Sequence, residues 1–217
     1  MAISIGNRPG YLVVPYGIRI AGAVAVPTGA RLHPNEAGWI VVDAGACTVF
    51  VTSARDAGSA TPTVDASELA VARACDGEPA APAPRASFGL ALPVCTSGTT
   101  GRPEGVEIAR GMPTAPSPGC LSDVIAVRPA DGALYAAPLG HGAGLRAPVH
   151  VLRAAPQLRP PPGGADPREA LGIAAAHGSF GAFLAATRVH RPARAAFDRP
   201  SGCSLAELRR RVWGRVR

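Results

Sequence analysis

The sequence contains no lysine, because all 22 of its basic residues are arginine. A lysine ammonium forms Schiff bases with carbonyl substrates and serves in many sites as a compact positive charge on phosphate. The 217-residue chain therefore excludes any mechanism in which one of its own lysines performs either task.

Cysteine pairs, a secretory leader and long apolar runs are also missing. The five cysteines are scattered, without a Cys-x-x-Cys pair and without a histidine clustered near any of them. An odd number of unpaired cysteines is typical of reduced thiols. The N-terminus has no basic and apolar leader, and no apolar run reaches the roughly 18–20 residues that cross a bilayer. These absences predict a cytoplasmic protein with no membrane span.

Charged residues are few, at 17% of the chain, and hydrophobic residues make up 47%, which excludes the composition of a disordered protein. The net charge is +7, and residues 199–217 hold six arginines and one glutamate, so this segment carries +5 of it. An arginine-rich tail can bind a phosphate backbone non-specifically. A solvated helix face or the end of an interrupted domain explains the tail better, and nucleic-acid binding is the weakest interpretation.

The first 56 residues alternate between short apolar runs and helix-like segments. A β-α-β-α-β order predicts an α/β fold with a mostly parallel sheet flanked by helices. The predicted strands are residues 2–5, 23–26 and 46–52, and the predicted helices are residues 9–21 and about 33–43, the second ending at Gly45.

The rest of the chain divides into three further segments. Residues 57–87 predict a loop, a short helix over 64–75 capped by Asp65, and an Ala/Pro connector. Residues 88–198 hold a glycine-rich loop and further elements, and residues 199–217 form the arginine-rich end. Within 88–198 the pattern predicts strands at 134–137 and 179–184 and helices at 142–155, 167–177 and 187–196.

Three prolines fall inside predicted helices, namely Pro15, Pro148 and Pro192. An interior helix proline costs about 3 kcal/mol or more, since it removes a hydrogen bond and clashes with the preceding turn. The sequence therefore predicts kinked or shortened helices and marginal folding.

The most informative segment is the loop of residues 96–105, Thr-Ser-Gly-Thr-Thr-Gly-Arg-Pro-Glu-Gly, which follows the apolar run 88–95. Hydroxyls and backbone N–H groups in such a loop can surround a phosphate, and glycine permits close approach. The loop lacks the Gly-Lys-Ser/Thr of the P-loop nucleotide triphosphatases. Taken without its longer context, a Ser/Thr/Gly segment of this kind is equally typical of a solvated turn.

The whole loop resembles the phosphate loop of the AMP-forming acyl- and aryl-CoA synthetases, the adenylate-forming superfamily, whose usual form is Thr-Ser-Gly-Thr-Thr-Gly-x-Pro-Lys-Gly. One fixed position departs from that form, because Glu104 replaces the lysine. Other segments resemble the same superfamily in the expected order across nearly the whole chain. They are residues 6–9, 21–24 with Pro27, 30–34, 135–144, 180–187 and 204–208.

This resemblance implies an ATP-dependent reaction. In the superfamily, ATP and Mg²⁺ activate a carboxylic acid as an acyl-adenylate with release of pyrophosphate, and the acyl group then passes to a thiol, usually coenzyme A. The resemblance is strongest to ligases of fatty or medium-chain acids. It implies that the ATP phosphates are bound by Thr96, Ser97, Gly98, Thr99, Thr100 and Gly101. It also implies that Thr100 is the candidate magnesium ligand and that His141 and Gly142 line the acyl-carboxylate pocket.

Several departures predict weak activity or none. A carboxylate at position 104 repels phosphate, and a unit-charge contact at about 4 Å is worth about 4 kcal/mol at an effective dielectric near 20. The chain also ends before the superfamily's adenine-binding strand, its acidic ATP and ribose ligands, and the C-terminal lid with its catalytic lysine. We therefore expect an incomplete N-terminal domain, an impaired or inactive ligase fragment. The alternatives are one half of a split ligase whose C-terminal half is separately encoded, and a non-catalytic nucleotide- or phosphate-binding or decayed remnant module.

Overall fold

The chain forms two compact units in the computed structural model, the first comprising Met1–Thr114 and Pro138–Gly144 and the second Ala115–Ala137 and Leu145–Arg217. The structure describes residues 1–52, 61–67, 81, 83, 90–96, 104–109, 127–160, 172–173, 176–177 and 180–182. The division into four segments made from the sequence stays a prediction.

The first unit contains a parallel sheet of four strands in the order β2-β1-β3-β4. Parallel neighbours need crossover connections, and two helices supply the first two of these. This arrangement confirms the predicted mostly parallel sheet flanked by helices. In chain order the elements are β1 (Ala2–Ser4), α1 (Pro9–Ile20), β2 (Val26–Pro27), α2 (Pro34–Asp43), β3 (Val49–Val51) and β4 (Thr63–Asp65).

Helix α1 keeps nearly the predicted length despite its interior proline. Pro15 has no N–H to donate to the carbonyl of Tyr11, yet the helix continues to Ile20. The side chains of Tyr11, Val14 and Ile18 are buried at i, i+3 and i+7 spacing on one helix face. Burial of this face offsets the lost hydrogen bond, so the expected shortening of α1 is absent.

Helix α2 is bounded by local signals that the sequence contains. The His33 Nδ1 accepts a hydrogen bond from the backbone N–H of Asn35 (3.3 Å), and the His33 N–H donates to Glu36 Oε2 (3.2 Å). This reciprocal pair is a capping box, and Pro34 occupies the first turn. At the other end Gly45 has a φ of +56°, which suits a residue without Cβ. Both predicted ends of the helix are confirmed.

The core of this unit lies between α2 and the first three strands. Its side chains come from one face of α2 and from the buried strands, and several residues are less than 3% exposed. The cluster consists of Ala2, Val26, Ile40, Val41, Val49 and Val51, with Val24, Trp39 and Ala46 packed against it.

The predicted helix over 64–75 is wrong at its start. Residues Thr63–Asp65 form β4, in which Val64 pairs with Phe50 of β3. The Asp65 carboxylate accepts a hydrogen bond from the Ser67 N–H (2.8 Å), as a cap would, but it does so from the end of a strand. Residues 68–75 lie outside the described residues.

The second unit contains a three-stranded parallel sheet in the order β8-β7-β9. Its strands are β7 (Gly132–Leu134), β8 (Gln157–Leu158) and β9 (Phe180–Ala182), which follow β5 (Leu90–Thr96) and β6 (Glu104–Ala109) of the first unit in chain order. The strand predicted at 134–137 is wrong beyond Leu134, because β7 ends at that residue. Strand β9 confirms the strand predicted at 179–184 over residues 180–182.

Helix α3 spans Gly142–Val151 and contains Pro148 in its interior. The prediction extended this helix to residue 155, but Ala154 adopts a φ of 51° and the Ala155 N–H donates to the His150 carbonyl (3.0 Å). This turn ends the helix four residues early and buries Ala155 with Val127 and Val149.

Other predicted segments lie partly or wholly outside the described residues. Within the helix predicted at 167–177, the described residues 172–173 and 176–177 are helical. The helix at 187–196 with Pro192, most of the connector at 77–86, and the arginine-rich end all fall outside. In the part of the chain that the structure describes, no helix is long and apolar enough to span a bilayer.

Candidate functional site

The predicted phosphate loop connects the two strands of an antiparallel hairpin in the first unit. Strand β5 (Leu90–Thr96) pairs with β6 (Glu104–Ala109), and the last pair before the loop joins Thr96 to Glu104. The predicted phosphate ligands Ser97, Gly98, Thr99, Thr100 and Gly101 lie outside the described residues. Thr96 is the last residue of β5 and the only one of the six whose backbone the structure describes.

The pairing of β5 with β6 determines the position of Glu104, the residue that replaces the lysine of the superfamily's loop. Directly paired residues in antiparallel strands have Cα atoms about 4.5–5.5 Å apart. Glu104 therefore begins β6 beside Thr96, where the hairpin opens into the loop. The position at which the superfamily carries lysine is thus next to the loop in space as well as in sequence.

A second part of the site is the edge of the sheet where the parallel strands end. Strand β1 lies between β2 and β3 in the sheet. The chain therefore passes from β1 to β2 on one side and then crosses over to β3 on the other side. In open α/β sheets, ligands bind at the carboxyl ends of the strands beside such a switch in direction. The loop of residues 5–8 after β1 lies at this edge, as does the loop of residues 28–32 after β2. The strand order therefore marks these loops as candidate ligand-binding loops.

The segment Pro138–Gly144, which carries His141, lies against both of these loops. The Leu139 N–H donates to Oδ1 of Asn7 (2.8 Å), across 132 residues of sequence. A Cβ built on Gly140 would lie 3.5 Å from the Thr28 carbonyl oxygen, and one built on Gly29 would lie 3.8 Å from Nε2 of His141. These approaches bring His141 to the carboxyl edge of the sheet.

The segment has a tightly defined turn. The His141 N–H donates to the Pro138 carbonyl (3.2 Å), and the Gly144 N–H donates to the His141 carbonyl (2.9 Å). A Cβ on Gly144 would collide with the carbonyl oxygen of Leu139. Only glycine fits at that position without a shift of the backbone. The turn buries Leu139 and leaves His141 exposed.

Thr28 joins the ends of the two strands beneath His141. Its N–H (2.9 Å) and its Oγ1 (3.1 Å) both donate to the carbonyl of Ile3, and its side chain is 1% exposed. This double donation secures β2 to β1 where the loop with Gly29 begins. His141 is exposed, so its ring is accessible to a ligand.

The site can therefore present an imidazole to an anionic ligand. Imidazole donates a hydrogen bond from a ring N–H, and the surrounding backbone holds the ring at the sheet edge. Gly142, the second predicted pocket residue, is the partly buried first residue of α3. Among the residues that the structure describes, no group of three or more His, Cys, Asp or Glu side chains could hold a metal ion. Thr100, the candidate magnesium ligand, is not among them.

Two residues that organise the candidate site carry no functional motif in the sequence. Asn7 belongs to the resemblance of residues 6–9 but has no role implied by it, and Thr28 belongs to no motif. The Asn7 contact joins positions 132 residues apart, so no local pattern signals it. The available signal was a polar residue shortly after a buried strand at the carboxyl edge, three residues after β1 for Asn7 and directly after β2 for Thr28.

Comparisons with known proteins agree with this architecture. The family model described as AMP-binding enzyme matches residues 1–188. No curated protein matches the sequence. Solved structures match the fold at identities of 24% or less in the three examples that follow, which show the fold alone.

One similar structure is O-succinylbenzoate coenzyme A synthetase (MenE) from Bacillus subtilis in complex with ATP and magnesium, with 20% identity, a TM-score of 0.73, and coverage of 94% of this chain and 42% of that one. VinN in complex with L-aspartate has 18% identity, a TM-score of 0.74, and coverage of 88% and 50%. ATP-bound MatB from Rhodopseudomonas palustris has 24% identity, a TM-score of 0.67, and coverage of 83% and 38%. The chain thus spans half or less of the length of these three structures.

Proposed function

Because the chain belongs to the AMP-binding enzyme family, we propose that it supplies the phosphate loop and the acyl-carboxylate pocket of an ATP-dependent adenylate-forming ligase. The observation that carries the proposal is the position of His141 near Gly29 at the carboxyl edge of the parallel sheet, where the bond between Asn7 and Leu139 holds its segment. An anionic acid bound there would receive a hydrogen bond from the imidazole.

The proposed reaction is attack of the acid's carboxylate oxygen on the α-phosphorus of ATP. The bond between the α-phosphorus and its bridging oxygen breaks, and pyrophosphate leaves with that electron pair. Carboxylate and triphosphate repel each other, so fixed N–H dipoles are needed where the charges meet. We assign the phosphates to residues 96–101 and the acid to His141 and Gly142. Mg²⁺, which the Thr100 hydroxyl would help to hold, would neutralise phosphate charge.

We further propose that Glu104 weakens ATP binding and makes adenylation slow. The hairpin register supports this, because it places the backbone of Glu104 beside Thr96 at the mouth of the loop. A carboxylate at that position adds negative charge where the family form has a cation, and repulsion acts on every state with bound triphosphate.

The finer specificity is also a proposal. The resemblance of nearly the whole chain to ligases of fatty or medium-chain acids supports an aliphatic acid as substrate and coenzyme A as the thiol acceptor. An exposed free thiol at Cys47 supports a cytoplasmic location, since reduced thiols persist there.

ATP–pyrophosphate exchange with a series of straight-chain acids tests this function. We expect weak ATP binding by calorimetry and slow exchange that depends on an added acid, greatest with medium-chain acids such as octanoate. Absence of binding by both ATP and AMP up to millimolar concentrations would refute the proposal. Rapid exchange that depends on an added acid would support the adenylation activity and refute the proposal that Glu104 makes adenylation slow.

A non-catalytic nucleotide-binding module is the second candidate, and the absence of lysine from the chain favours it. ATP binding without any exchange would support this candidate. Exchange that appears only after addition of a separately encoded C-terminal half would support a split ligase instead.

A further inference from the structure

A side-chain hydrogen bond across 132 residues of sequence joins Asn7 to the segment that carries His141. Oδ1 of Asn7 lies 2.8 Å from the backbone nitrogen of Leu139, and the bond is partly buried. A backbone N–H can only donate, so the accepting atom must be the side-chain oxygen of Asn7.

This bond differs in kind from the other hydrogen bonds described for the segment. The His141 and Gly144 N–H groups donate to carbonyls within Pro138–Gly144, so they define the shape of the turn. The Leu139 N–H donates outside the segment, so it defines where the turn sits on the sheet. Leu139 is 3% exposed, and a buried N–H that loses its acceptor is unfavourable.

Asn7 is itself held on both sides by regular structure. It follows β1, whose residues Ala2 and Ile3 are fully buried, and it precedes α1. The Arg8 N–H donates to the Gly6 carbonyl (2.7 Å), and the Tyr11 N–H donates to the Arg8 carbonyl (3.0 Å). The Asn7 side chain therefore projects from a loop with little freedom.

We propose that Asn7 is a positioning residue for the acyl-carboxylate site, because its side-chain oxygen holds the Leu139 N–H and thereby keeps His141 at the carboxyl edge beside Gly29. The proposal rests on the proposed function for the role of His141, whereas the contact between Asn7 and Leu139 does not depend on it. Loss of the acceptor should loosen the segment and weaken binding of the acid. ATP affinity should not change, since none of residues 96–101, to which we assign the phosphates, takes part in the bond between Asn7 and Leu139.

The test compares the full chain with Asn7→Leu, which has similar size and no acceptor, and with Asn7→Asp, which keeps an acceptor in the same place. Asn35→Leu is the matched control, because Asn35 is exposed in the same unit. Hydrogen–deuterium exchange of the peptide covering 138–144 reports the contact. Titrations with octanoate and with ATP report the two parts of the site separately.

We expect Asn7→Leu to exchange faster at 138–144 and to bind octanoate about tenfold more weakly, the effect of losing one buried hydrogen bond, with ATP affinity unchanged. Asn7→Asp and Asn35→Leu should match the wild type. Asn7→Ala replaces Asn7→Leu if the latter fails to fold by circular dichroism.

Unchanged exchange at 138–144 in Asn7→Leu would overturn the proposal, and so would faster exchange with unchanged octanoate affinity. An equal loss of octanoate and ATP affinity would also overturn it, since that pattern indicates a general structural role. A wild type that binds neither ligand would refute the proposed function, and the exchange measurement would still decide whether Asn7 holds the segment.

Discussion

Two histidines near opposite ends of helix α3 contrast in their surroundings. His141 precedes the helix, is exposed, and belongs to a turn whose backbone is hydrogen-bonded and supported by Asn7. His150 lies in the last turn of the helix, is 6% exposed, and has no hydrogen-bond partner on either ring nitrogen within the described part of the chain. The first arrangement suits ligand binding, and the second reduces stability, because a buried polar group without a partner is costly.

The contrast extends to protonation. Burial lowers the pKa of His150, and the Arg146 guanidinium adds to this effect. The Arg146 backbone, one turn earlier, and the Asp131 carboxylate act in the opposite direction without cancelling it. A histidine with a lowered pKa is a weak candidate for holding an anion, so His150 is unsuited to that role.

The largest expected effect comes from breaking the turn that presents His141. Gly144→Ala places a Cβ against the carbonyl oxygen of Leu139, and because that atom is backbone the chain must shift. We expect a loss of about 3 kcal/mol in the free energy of unfolding, measured by urea denaturation. Gly17→Ala in α1 is the control, since its Cβ would meet nothing within 4 Å. That change should be neutral or stabilising by up to about 1 kcal/mol. Equal losses in both variants would contradict the packing at Gly144.

The next effect tests whether the first unit binds phosphate through its loop. Glu104→Lys restores the family residue beside Thr96 and should raise ATP affinity by about tenfold, which corresponds to about 1.4 kcal/mol, measured by calorimetry. Glu107→Lys makes the same charge change three residues further along β6, where Glu107 is exposed, and should change affinity little. A similar gain in both variants would indicate general electrostatic attraction. No gain in either would remove Glu104 as the cause of weak binding.

The smallest effect is the pH dependence of stability that the buried His150 causes. Because the folded-state pKa of His150 lies below its ordinary value of 6.5, the unfolded chain binds its proton first as pH falls. The contribution to stability is therefore full above about pH 6.5 and declines as pH falls from there through the folded-state pKa.

His150→Leu should remove this part of the acid sensitivity in thermal melts at a series of pH values. At neutral pH it should be neutral or stabilising by about 1 kcal/mol, since two unpartnered polar atoms are replaced by apolar ones. A profile that His150→Leu leaves unaltered would show that the buried ring does not titrate as described.

Local signals predicted much of the first unit. The proline at the start of α1, the His33 and Glu36 pair and Gly45 act through neighbours in sequence, so the two helix positions could be predicted. The strand of residues 63–65 was mistaken for the start of a helix, because its place is decided by pairing of Val64 with Phe50, and nothing local specifies that pair. The early end of α3 was missed for a similar reason, since burial of Ala155 with Val127 favours the turn.

The sequence by itself determined the family, through a loop and a series of segments in a characteristic order, and it determined the alternation of strands and helices. It also revealed the two chemical departures, the absence of lysine and the carboxylate at Glu104. The residue that holds the segment with His141 becomes visible only in the folded chain, because Asn7 meets Leu139 across 132 residues. The tertiary structure also distinguished His141 from His150, because burial and hydrogen-bond partners arise when distant segments pack together, and these decide whether an imidazole can bind a ligand.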